Sequence, residues 1–356
     1  MGLSYIEVYF NIFVWALLVF LSFRALVPSF PKMANSYKVF YFLAITFATF
    51  GYVTGDFFHY QEIFENSARF NEFHHVEKFY SYIGEFLGMN YMLWRFVIWS
   101  IALLLYIYLM KRLRTVPDAV SLSFALFSIL YFCSHRQILA FCVAFVGVVL
   151  LLDSSKKIGI KILGLLIIAA SLLFHRSMPI YLCLIVLALI PYNRYVYVVM
   201  LCAFPIVSRY FGDILGTMVD SSLINENLTR SYIDSDFRAT STIWGIVGLV
   251  VTYAPIYLLL IYAIYQTTFK KEASLPREAM FFLRLSFLQI YLAHLFQNQG
   301  VSSFLTTRFL EDSVITLGVF YSVFITKYRP TKFIKTGYSF LLISCLYNYM
   351  YFIYKM

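Results

Sequence analysis

The hydrophobic positions of this 356-residue chain fall into long apolar runs separated by short polar breaks. Most runs approach the ~20 residues that an α-helix needs to cross a bilayer, and the pattern predicts about twelve such helices. The predicted spans lie near residues 4–27, 37–54, 91–110, 119–133, 138–153, 160–174, 177–191, 195–211, 242–265, 280–295, 309–326 and 336–354. We therefore expect an all-α, polytopic integral membrane protein with a single transmembrane domain over residues 1–356.

Composition excludes a soluble enzyme, a DNA-binding protein or a disordered scaffold. The chain is 61% hydrophobic and only 13% charged, whereas soluble domains carry about 25% charged residues. The net charge of +10 comes from Lys and Arg in short clusters between apolar runs, which is the positive-inside pattern and not a nucleic-acid-binding face. The five cysteines lie inside apolar runs without metal-ligand spacing, so no metal site is predicted.

The basic clusters also predict the orientation of the chain. They occur in every second loop, which places those loops in the cytoplasm and both termini outside. The first apolar run is long enough to be a span, so we expect no cleaved signal peptide. The basic residues are Lys32 and Lys38; Lys111, Arg112 and Arg114; Lys156, Lys157 and Lys161; Arg194; Lys270, Lys271 and Arg277; and Lys327, Arg329, Lys332 and Lys335.

Two long loops, near 55–90 and 212–241, face the other side, with Lys78 as their one lysine. In the first loop, apolar residues recur at helical spacing. This spacing favours an amphipathic helix on the outer leaflet, and an ordinary packed helix explains it equally well. The recurring residues are Ile63, Phe70, Phe73, Tyr80, Ile83 and Leu87.

Arginine persists on the outer side of the predicted bundle, where lysine does not. Arg136, Arg176 and Arg308 lie at outer helix ends, Arg95 lies near another, and Arg284 lies within a span. The planar guanidinium keeps its charge when partly buried and suits phosphate or carboxylate. Snorkelling or salt bridging is the alternative for each one; as a group they predict an anionic ligand.

Two of these arginines follow a histidine in a tight outer turn. The turns are Ser134-His135-Arg136-Gln137 and Phe174-His175-Arg176-Ser177. Each places a titratable imidazole beside a fixed cation, so that the histidine can take a proton from a hydroxyl while the arginines hold a phosphate. Asp56, four residues before Tyr60, is the other candidate base, with an ordinary loop carboxylate as the alternative.

Four short motifs carry a resemblance to a known family. They are Gly55-Asp56 through Tyr60, Arg136-Gln137-Ile138-Leu139-Ala140, His175-Arg176-Ser177 and Thr307-Arg308-Phe309. The first resembles a Gly-x-Asp-x-x-x-Tyr signature, shortened by one residue before the aspartate, and the two middle motifs are the more specific. This arrangement resembles the EpsG family, the Wzy-like membrane polymerases of bacterial exopolysaccharide, capsule and O-antigen assembly.

The resemblance implies a GT-C-like glycosyltransferase that joins oligosaccharide repeat units carried on undecaprenyl diphosphate. The reaction would occur at the outer face of the bacterial inner membrane. The donor and acceptor lipids and the bilayer would be its partners, with a chain-length regulator as an optional one and no nucleic acid. No cofactor is implied, although a weakly held divalent cation stays an open alternative.

The resemblance also implies roles for individual residues. His175 or Asp56 would accept the acceptor proton, with His175 slightly favoured. His135, Gln137 and Tyr60 would support the site or bind sugar. The arginines that would bind the diphosphate are Arg136, Arg176, Arg308 and, less firmly, Arg284.

Three other functions compete with polymerisation. A lipid-linked oligosaccharide flippase would also need cations, but along a path through the bilayer rather than at one face. A membrane acyltransferase that modifies polysaccharide would place its histidines toward a cytoplasmic acyl donor. A non-enzymatic assembly protein would leave the outward arginines without a role.

Overall fold

The computed structural model of the chain is helical, as the sequence predicts. Every regular element among the residues it describes is a helix. Those residues are 5–26, 36–50, 55–66, 69–71, 78–113, 115, 119, 123, 135–153, 157–175, 177–220, 243–270, 275–298, 303–328 and 330–355.

The long helices follow the predicted apolar runs. A 3-10 turn, Ser171–Leu173, extends the seventh helix, and a π-helical turn, Tyr265–Phe269, extends the tenth. The helices are α1 (Tyr5–Leu26), α2 (Ser36–Phe50), α3 (Gly55–Glu65), α4 (Lys78–Phe86), α5 (Tyr91–Arg112), α6 (His135–Leu152), α7 (Ile158–Ala170), α8 (Met178–Leu189), α9 (Arg194–Asp220), α10 (Ile243–Ile264), α11 (Arg277–Asn298), α12 (Ser303–Lys327) and α13 (Lys332–Lys355).

Four of the described segments are long and apolar enough to cross a membrane, namely Tyr91–Arg112, Arg194–Phe211, Arg277–Gln297 and Arg308–Lys327. Shorter apolar segments are Ile12–Ser22, Lys38–Thr49, Arg136–Leu152, Ile158–Leu173 and Met178–Leu189. The predicted helical membrane protein is confirmed. The count of about twelve spans stays a prediction, and most of its span near 119–133 lies outside the described residues.

The chain divides into two compact units, each of which is described below by itself. The first comprises Met1–Cys183, Pro276–Ala279 and Gly318–Met356, and the second comprises Leu184–Leu275 and Met280–Leu317. The prediction of one domain over the whole chain stays a prediction.

The hairpin of α6 and α7 is the most extensive helix pair of the first unit. Its two helices meet at Gly147 and Gly164, where a Cβ atom at either position would lie 2.7 Å from the carbonyl oxygen of the other glycine. Small residues of this kind let helix backbones approach closely in membrane proteins. The close approach depends on glycine at both positions.

Contacts at the two ends of α5 and α6 show that these helices run parallel. At one end, Arg112 donates to Asp153 over 2.6 Å. At the other end, the Tyr80 hydroxyl of α4 donates to the main-chain oxygen of Arg136, and the Trp94 indole donates to that of Tyr80. The ends of α5 and α6 that precede the basic loops therefore share one end of the unit, as the alternation of those loops predicts.

In the loop near 55–90, where the apolar spacing favours an amphipathic helix, the described residues include α3, the helical residues 69–71 and α4. Helix α3 ends before Asn66, whose side chain accepts the main-chain N–H of Arg69 at 3.3 Å. Such a bond favours a new helix start, because it satisfies an N–H that has no intrahelical acceptor. Asn66 therefore separates α3 from the helical residues 69–71.

The apolar residues of this loop differ in burial, and Ile83 and Leu87 are only partly buried. Ile63, Phe70 and Tyr80 are buried, whereas Phe86 is 89% exposed on the opposite face of α4. Phe73 lies outside the described residues. Helix α4 thus presents a buried face to the protein and an aromatic face to its surroundings.

In the second unit, α9 runs parallel to the adjoining part of α11. Tyr197 contacts Phe287, Phe204 contacts Tyr291 and Phe211 contacts Phe296, so the numbers rise together in both helices. The long outer loop predicted near 212–241 is helical as far as Asp220, and residues 221–242 lie outside the described part.

Helix α12 runs antiparallel to α11 within the same unit. The Thr316 hydroxyl donates to Gln289 Oε1 at 2.7 Å and lies 2.6 Å from the Ser286 hydroxyl. Further along, the rings of Phe296 and Phe309 stack with centroids 5.5 Å apart. These contacts fix which residues of the two helices lie at the same level.

Candidate functional site

Arg136 lies in the first turn of α6, where the structure holds both its main chain and its side chain. Its carbonyl accepts the Tyr80 hydroxyl at 3.1 Å, and its guanidinium lies 4.6 Å from the centre of the Tyr60 ring. The side chain is only partly buried. A cation over an aromatic face is attracted by the ring, so this contact helps to hold the guanidinium in place.

The Tyr60 ring belongs to an aromatic cluster centred on Trp94. Tyr60, Phe64 and Tyr91 all contact Trp94, at ring-centroid distances of 6.2, 5.0 and 5.9 Å respectively. Trp94 is fully buried, and its indole donates to the Tyr80 carbonyl at 2.9 Å. Tyr60 thus lies between the buried Trp94 ring and the Arg136 guanidinium, and the contacts of Trp94 with Phe64 and Tyr91 stabilise this arrangement.

The turn at His175 has a defined hydrogen-bond pattern. The main-chain N–H of Ser177 donates to His175 Nδ1 at 3.2 Å, and the Ser177 hydroxyl lies 2.7 Å from the same nitrogen. An N–H can only donate, so Nδ1 must be the accepting nitrogen of the ring. The neutral ring then carries its proton on Nε2, so this imidazole is a hydrogen-bond donor through Nε2.

Helix α4 contacts both of the histidine–arginine turns. Tyr80 bonds to the main chain of Arg136, and its neighbour Phe79 packs edge-on against Phe174 with ring centroids 4.5 Å apart. Phe174 directly precedes His175. The structure therefore brings the two predicted turns to one end of the first unit, through an aromatic pair that the sequence analysis did not assign to the site.

Gln137 connects the start of α6 to α8. It is buried, its side-chain nitrogen donates to the Tyr181 hydroxyl at 3.4 Å, and Phe141 packs on the same tyrosine at 4.7 Å. Gln137 therefore links the helix that carries Arg136 to α8, and its supporting role at the site stays a prediction.

Some predicted site residues are described only in part. Asp56 lies in α3, one turn before Tyr60, and His135 begins α6. The side chains of both residues, and all of Arg176, lie outside the described part. Among the side chains that are described, no group of three or more His, Cys, Asp or Glu is placed to hold a metal ion.

Arg95, one of the outer arginines, serves helix packing. It is 1% exposed, and its Nε donates to the main-chain oxygen of Ala48 at 2.7 Å. This bond links α5 to α2 across the interior of the first unit. The side chain is therefore a structural contact between two helices.

Arg308 and Arg284 lie in the second unit, and the structure does not bring them together. Arg308 forms an ion pair with Glu311 at 3.9 Å, which is longer than a hydrogen bond. It directly precedes Phe309, which stacks on Phe296, whereas Arg284 lies twelve residues before Phe296. At 1.5 Å per residue the two arginines are about 18 Å apart along the hairpin.

A hydrogen-bonded relay in the second unit was missed by the sequence analysis. The Tyr257 hydroxyl lies 2.7 Å from His294 Nε2, and His294 Nδ1 lies 3.0 Å from Gln297 Oε1. An amide oxygen only accepts, so Nδ1 carries the proton and Nε2 accepts the tyrosine proton. The sequence did contain a signal for this relay. His294 lies within a predicted span, three residues before Gln297, and an ionisable group inside a membrane is a functional candidate.

Comparison with known protein families is consistent with these positions. The EpsG family model matches residues 33–356. No curated protein and no solved structure gives a significant match. The matched range includes the α3 segment, both histidine–arginine turns and Arg308, and it extends over most of the sequence. The chain therefore belongs to the EpsG family.

Proposed function

We propose that the protein is a glycosyltransferase that polymerises oligosaccharide repeat units carried on undecaprenyl diphosphate. The product is an exopolysaccharide, capsule or O-antigen chain at the outer face of the bacterial inner membrane. One observation supports this proposal above the others: the partly exposed Arg136 guanidinium is fixed over Tyr60, beside the His175 turn. Family membership supports a polymerase-like role in polysaccharide synthesis.

The proposed reaction transfers one carrier-linked chain to the terminal sugar of another. An acceptor hydroxyl oxygen bonds to the anomeric carbon of the donor, the bond from that carbon to the diphosphate oxygen breaks, and the diphosphate leaves with the bonding electrons. The hydroxyl proton passes to a base. No nucleotide sugar is consumed, because the diphosphate is itself the leaving group.

In this proposal Arg136 neutralises charge that develops on the departing diphosphate. Preorganised cations in a poorly hydrated site supply a large part of transition-state stabilisation. Tyr60 restricts the guanidinium before the substrate arrives, so that little ordering is required during the reaction. We propose the same electrostatic role for Arg176, and the role of Arg308 stays a prediction from the sequence.

We assign His175 to hydrogen-bond donation and Asp56 to proton acceptance. The hydrogen bond from the Ser177 N–H occupies Nδ1 and leaves a proton on Nε2, so the neutral ring has no second accepting nitrogen. A donor at this position would bind a diphosphate or sugar oxygen. The base is then Asp56, one turn before Tyr60 on α3.

Substitution of His175 by two amides distinguishes a donor from a base. Glutamine places an N–H near the position of Nε2, whereas asparagine reaches only as far as Nδ1. We expect His175→Gln to keep polymer yield within about tenfold of the native protein and His175→Asn to fall further. Neither amide can accept the proton as a base, and loss of a general base costs about 10²–10⁴-fold, so an equal large loss in both variants would restore His175 as the base.

The ring of Tyr60 is expected to matter more than its hydroxyl. Tyr60→Phe keeps the aromatic face under Arg136, so polymer formation should stay near the native level. Tyr60→Leu removes the face and should lower the initial rate about tenfold, since a cation–π contact is worth ~0.5–2 kcal/mol. Tyr82→Leu, on the exposed face of α4, is the control. Equal rates for Tyr60→Leu and Tyr82→Leu would contradict the role of the ring.

Cysteine labelling tests the proposed orientation. Glu85 in α4 and Lys332 at the start of α13 are both exposed. In a variant without the native cysteines, we expect Glu85→Cys to react with an impermeant thiol reagent added to intact cells, and Lys332→Cys to react only after the membrane is opened. The reverse pattern would place the His175 turn in the cytoplasm and exclude the proposed reaction there.

A reconstituted reaction tests the function itself. Purified protein in liposomes is given an undecaprenyl-diphosphate oligosaccharide without any nucleotide, and the products are separated on a gel. A ladder of increasing length supports the polymerase. A single unchanged band together with transfer of the lipid between leaflets would identify a flippase, and acyl transfer to the sugar would identify an acyltransferase. Addition of EDTA tests for the weakly held divalent cation.

We further propose about twelve spans in a GT-C-like arrangement for the complete membrane domain. The donor and acceptor lipids are the proposed partners, with a chain-length regulator as an optional one. The observed parallel course of α5 and α6, with Arg112 at the end of α5 paired to Asp153 after α6, agrees with that topology.

A further inference from the structure

Arg284 is a buried cation for which the described residues provide no anionic partner. Its side chain is 7% exposed, and its Nε atom has no hydrogen-bond partner in the part of the chain that the structure describes. Arginine stays charged under all ordinary conditions. Removal of a charge from water without a compensating partner costs several kcal/mol. An arginine in this position therefore indicates a ligand that supplies the missing charge.

Two tyrosine hydroxyls lie in electrostatic range of the same guanidinium. Tyr197 of α9 is 2% exposed, and its hydroxyl makes no hydrogen bond within the described residues. Tyr192 lies just before α9 and packs edge-on against Tyr197, with ring centroids 5.5 Å apart. Burial raises the pKa of the Tyr192 hydroxyl, and the Arg284 charge opposes this shift. The tyrosine is thus a neutral donor.

The side chains of Arg284, Tyr192 and Tyr197 together offer mainly hydrogen-bond donors. A guanidinium has five N–H donors and no acceptor, and each phenol contributes an O–H. A ligand that satisfies all three side chains needs negative charge and several acceptor oxygens, which describes a phosphate group. Tyr197 also packs on Phe287, one turn from Arg284, so an apolar wall lies beside the polar groups.

Within the second unit, the cluster lies far from Arg308 along the hairpin of α11 and α12. Arg284 is only seven residues from the start of α11, next to the basic loop of residues 270–277. On the proposed orientation this is the cytoplasmic half of the membrane. The distance of about 18 Å along the hairpin from Arg308 also prevents one diphosphate from reaching both arginines.

We infer that Arg284, Tyr192 and Tyr197 form a second anion site, which binds the phosphate of a lipid headgroup or a soluble phosphate at the cytoplasmic side of the second unit. The outer surface of α9 is largely apolar and exposed, so a lipid can approach the cluster along this helix. The inference does not depend on polymerase activity.

Binding is tested on the full chain, delipidated in a neutral sugar detergent without phosphate. Phosphatidylglycerol, diacylglycerol and inorganic phosphate are added separately, and the melting temperature and the ligand retained in native mass spectrometry are measured. We expect phosphatidylglycerol to raise the melting temperature and diacylglycerol to have no effect. A response to phosphatidylglycerol alone assigns the site to a lipid headgroup, and a response to inorganic phosphate as well assigns it to phosphate in general.

Two variants identify the groups that bind. Arg284→Met keeps the length of the side chain and should weaken phosphatidylglycerol binding more than about tenfold, since charge-assisted hydrogen bonds are lost. Without added ligand it should melt at or above the native temperature, because an unpaired charge has been removed. Tyr197→Phe keeps the ring and should weaken binding less. Arg194→Met, at an exposed arginine, should bind as the native protein does.

The inference is overturned by any of three results. The first is no response of the native protein to either phosphate compound. The second is an unchanged response in Arg284→Met. The third is a ligand-free Arg284→Met that melts well below the native protein, which would show that the guanidinium already has a stabilising protein partner. Each result is independent of the gel ladder, so failure of this site and failure of the polymerase are distinguishable.

Discussion

Arg136→Ala is expected to reduce polymer formation severely while the protein stays folded in the membrane. The substitution removes the cation over Tyr60 but leaves the main-chain oxygen that accepts the Tyr80 hydroxyl. By analogy with the loss of one donor from an oxyanion-type site, the rate should fall about 10²–10³-fold. The reconstituted reaction measures this rate, and the melting temperature of the same preparation reports the fold.

Two further arginine variants make that result specific. Arg136→Lys keeps the charge but loses the planar fork of donors, so its rate should lie between those of the native protein and the alanine variant. Arg194→Ala removes an exposed arginine whose guanidinium contacts its neighbour Tyr195, and it should polymerise normally. A normal rate for Arg136→Ala would remove the main support for the diphosphate site.

Gly147→Ala and Gly164→Ala are expected to have the largest effects on stability. Each new methyl group would meet the main chain of the facing helix at 2.7 Å, and a backbone cannot move aside as a flexible side chain does. Overpacking of a core costs about 1–3 kcal/mol, and we expect values near the upper end. The expectation is tested by measuring the free energy of unfolding of the solubilised protein as a denaturing detergent is added.

Gly159→Ala is the matched control for the two packed glycines. Gly159 also lies in α7, but a Cβ at this position meets nothing within 4 Å. Alanine favours a helix over glycine by about 1 kcal/mol, so this variant should be as stable as the native protein or more so. Equal stability in all three variants would show that α6 and α7 do not pack through their glycines.

Hydropathy predicts much of this fold because helices that cross a membrane require long apolar segments, which are visible in the sequence. The helical class, the positions of α5, α6 and α11, and the alternation of basic loops were available from the sequence. The break at Asn66 could not be predicted from the sequence, because the apolar spacing continues across it and the capping bond depends on a local turn. The pattern of apolar residues records burial, but it does not record where one helix ends and another begins.

The candidate site was only partly predictable. Two histidine–arginine turns identified Arg136 and His175, because paired titratable and cationic residues at helix ends are unusual. Sequence did not reveal that Phe79 and Tyr80 connect the turns, since aromatic residues are common throughout this chain. Nor did it reveal which nitrogen of His175 carries the proton, because that depends on the hydrogen bond from Ser177.

The hydrogen bond from Tyr80 to the main chain of Arg136 has a consequence for how the protein can evolve. The bond fixes the backbone at position 136 and is indifferent to the side chain that the position carries. Selection can therefore exchange that side chain for another without relocating the helix that presents it. A lineage that changed its anionic substrate would retain the scaffold and alter one residue, whereas the loss of Tyr80 would disturb every side chain that could be placed there.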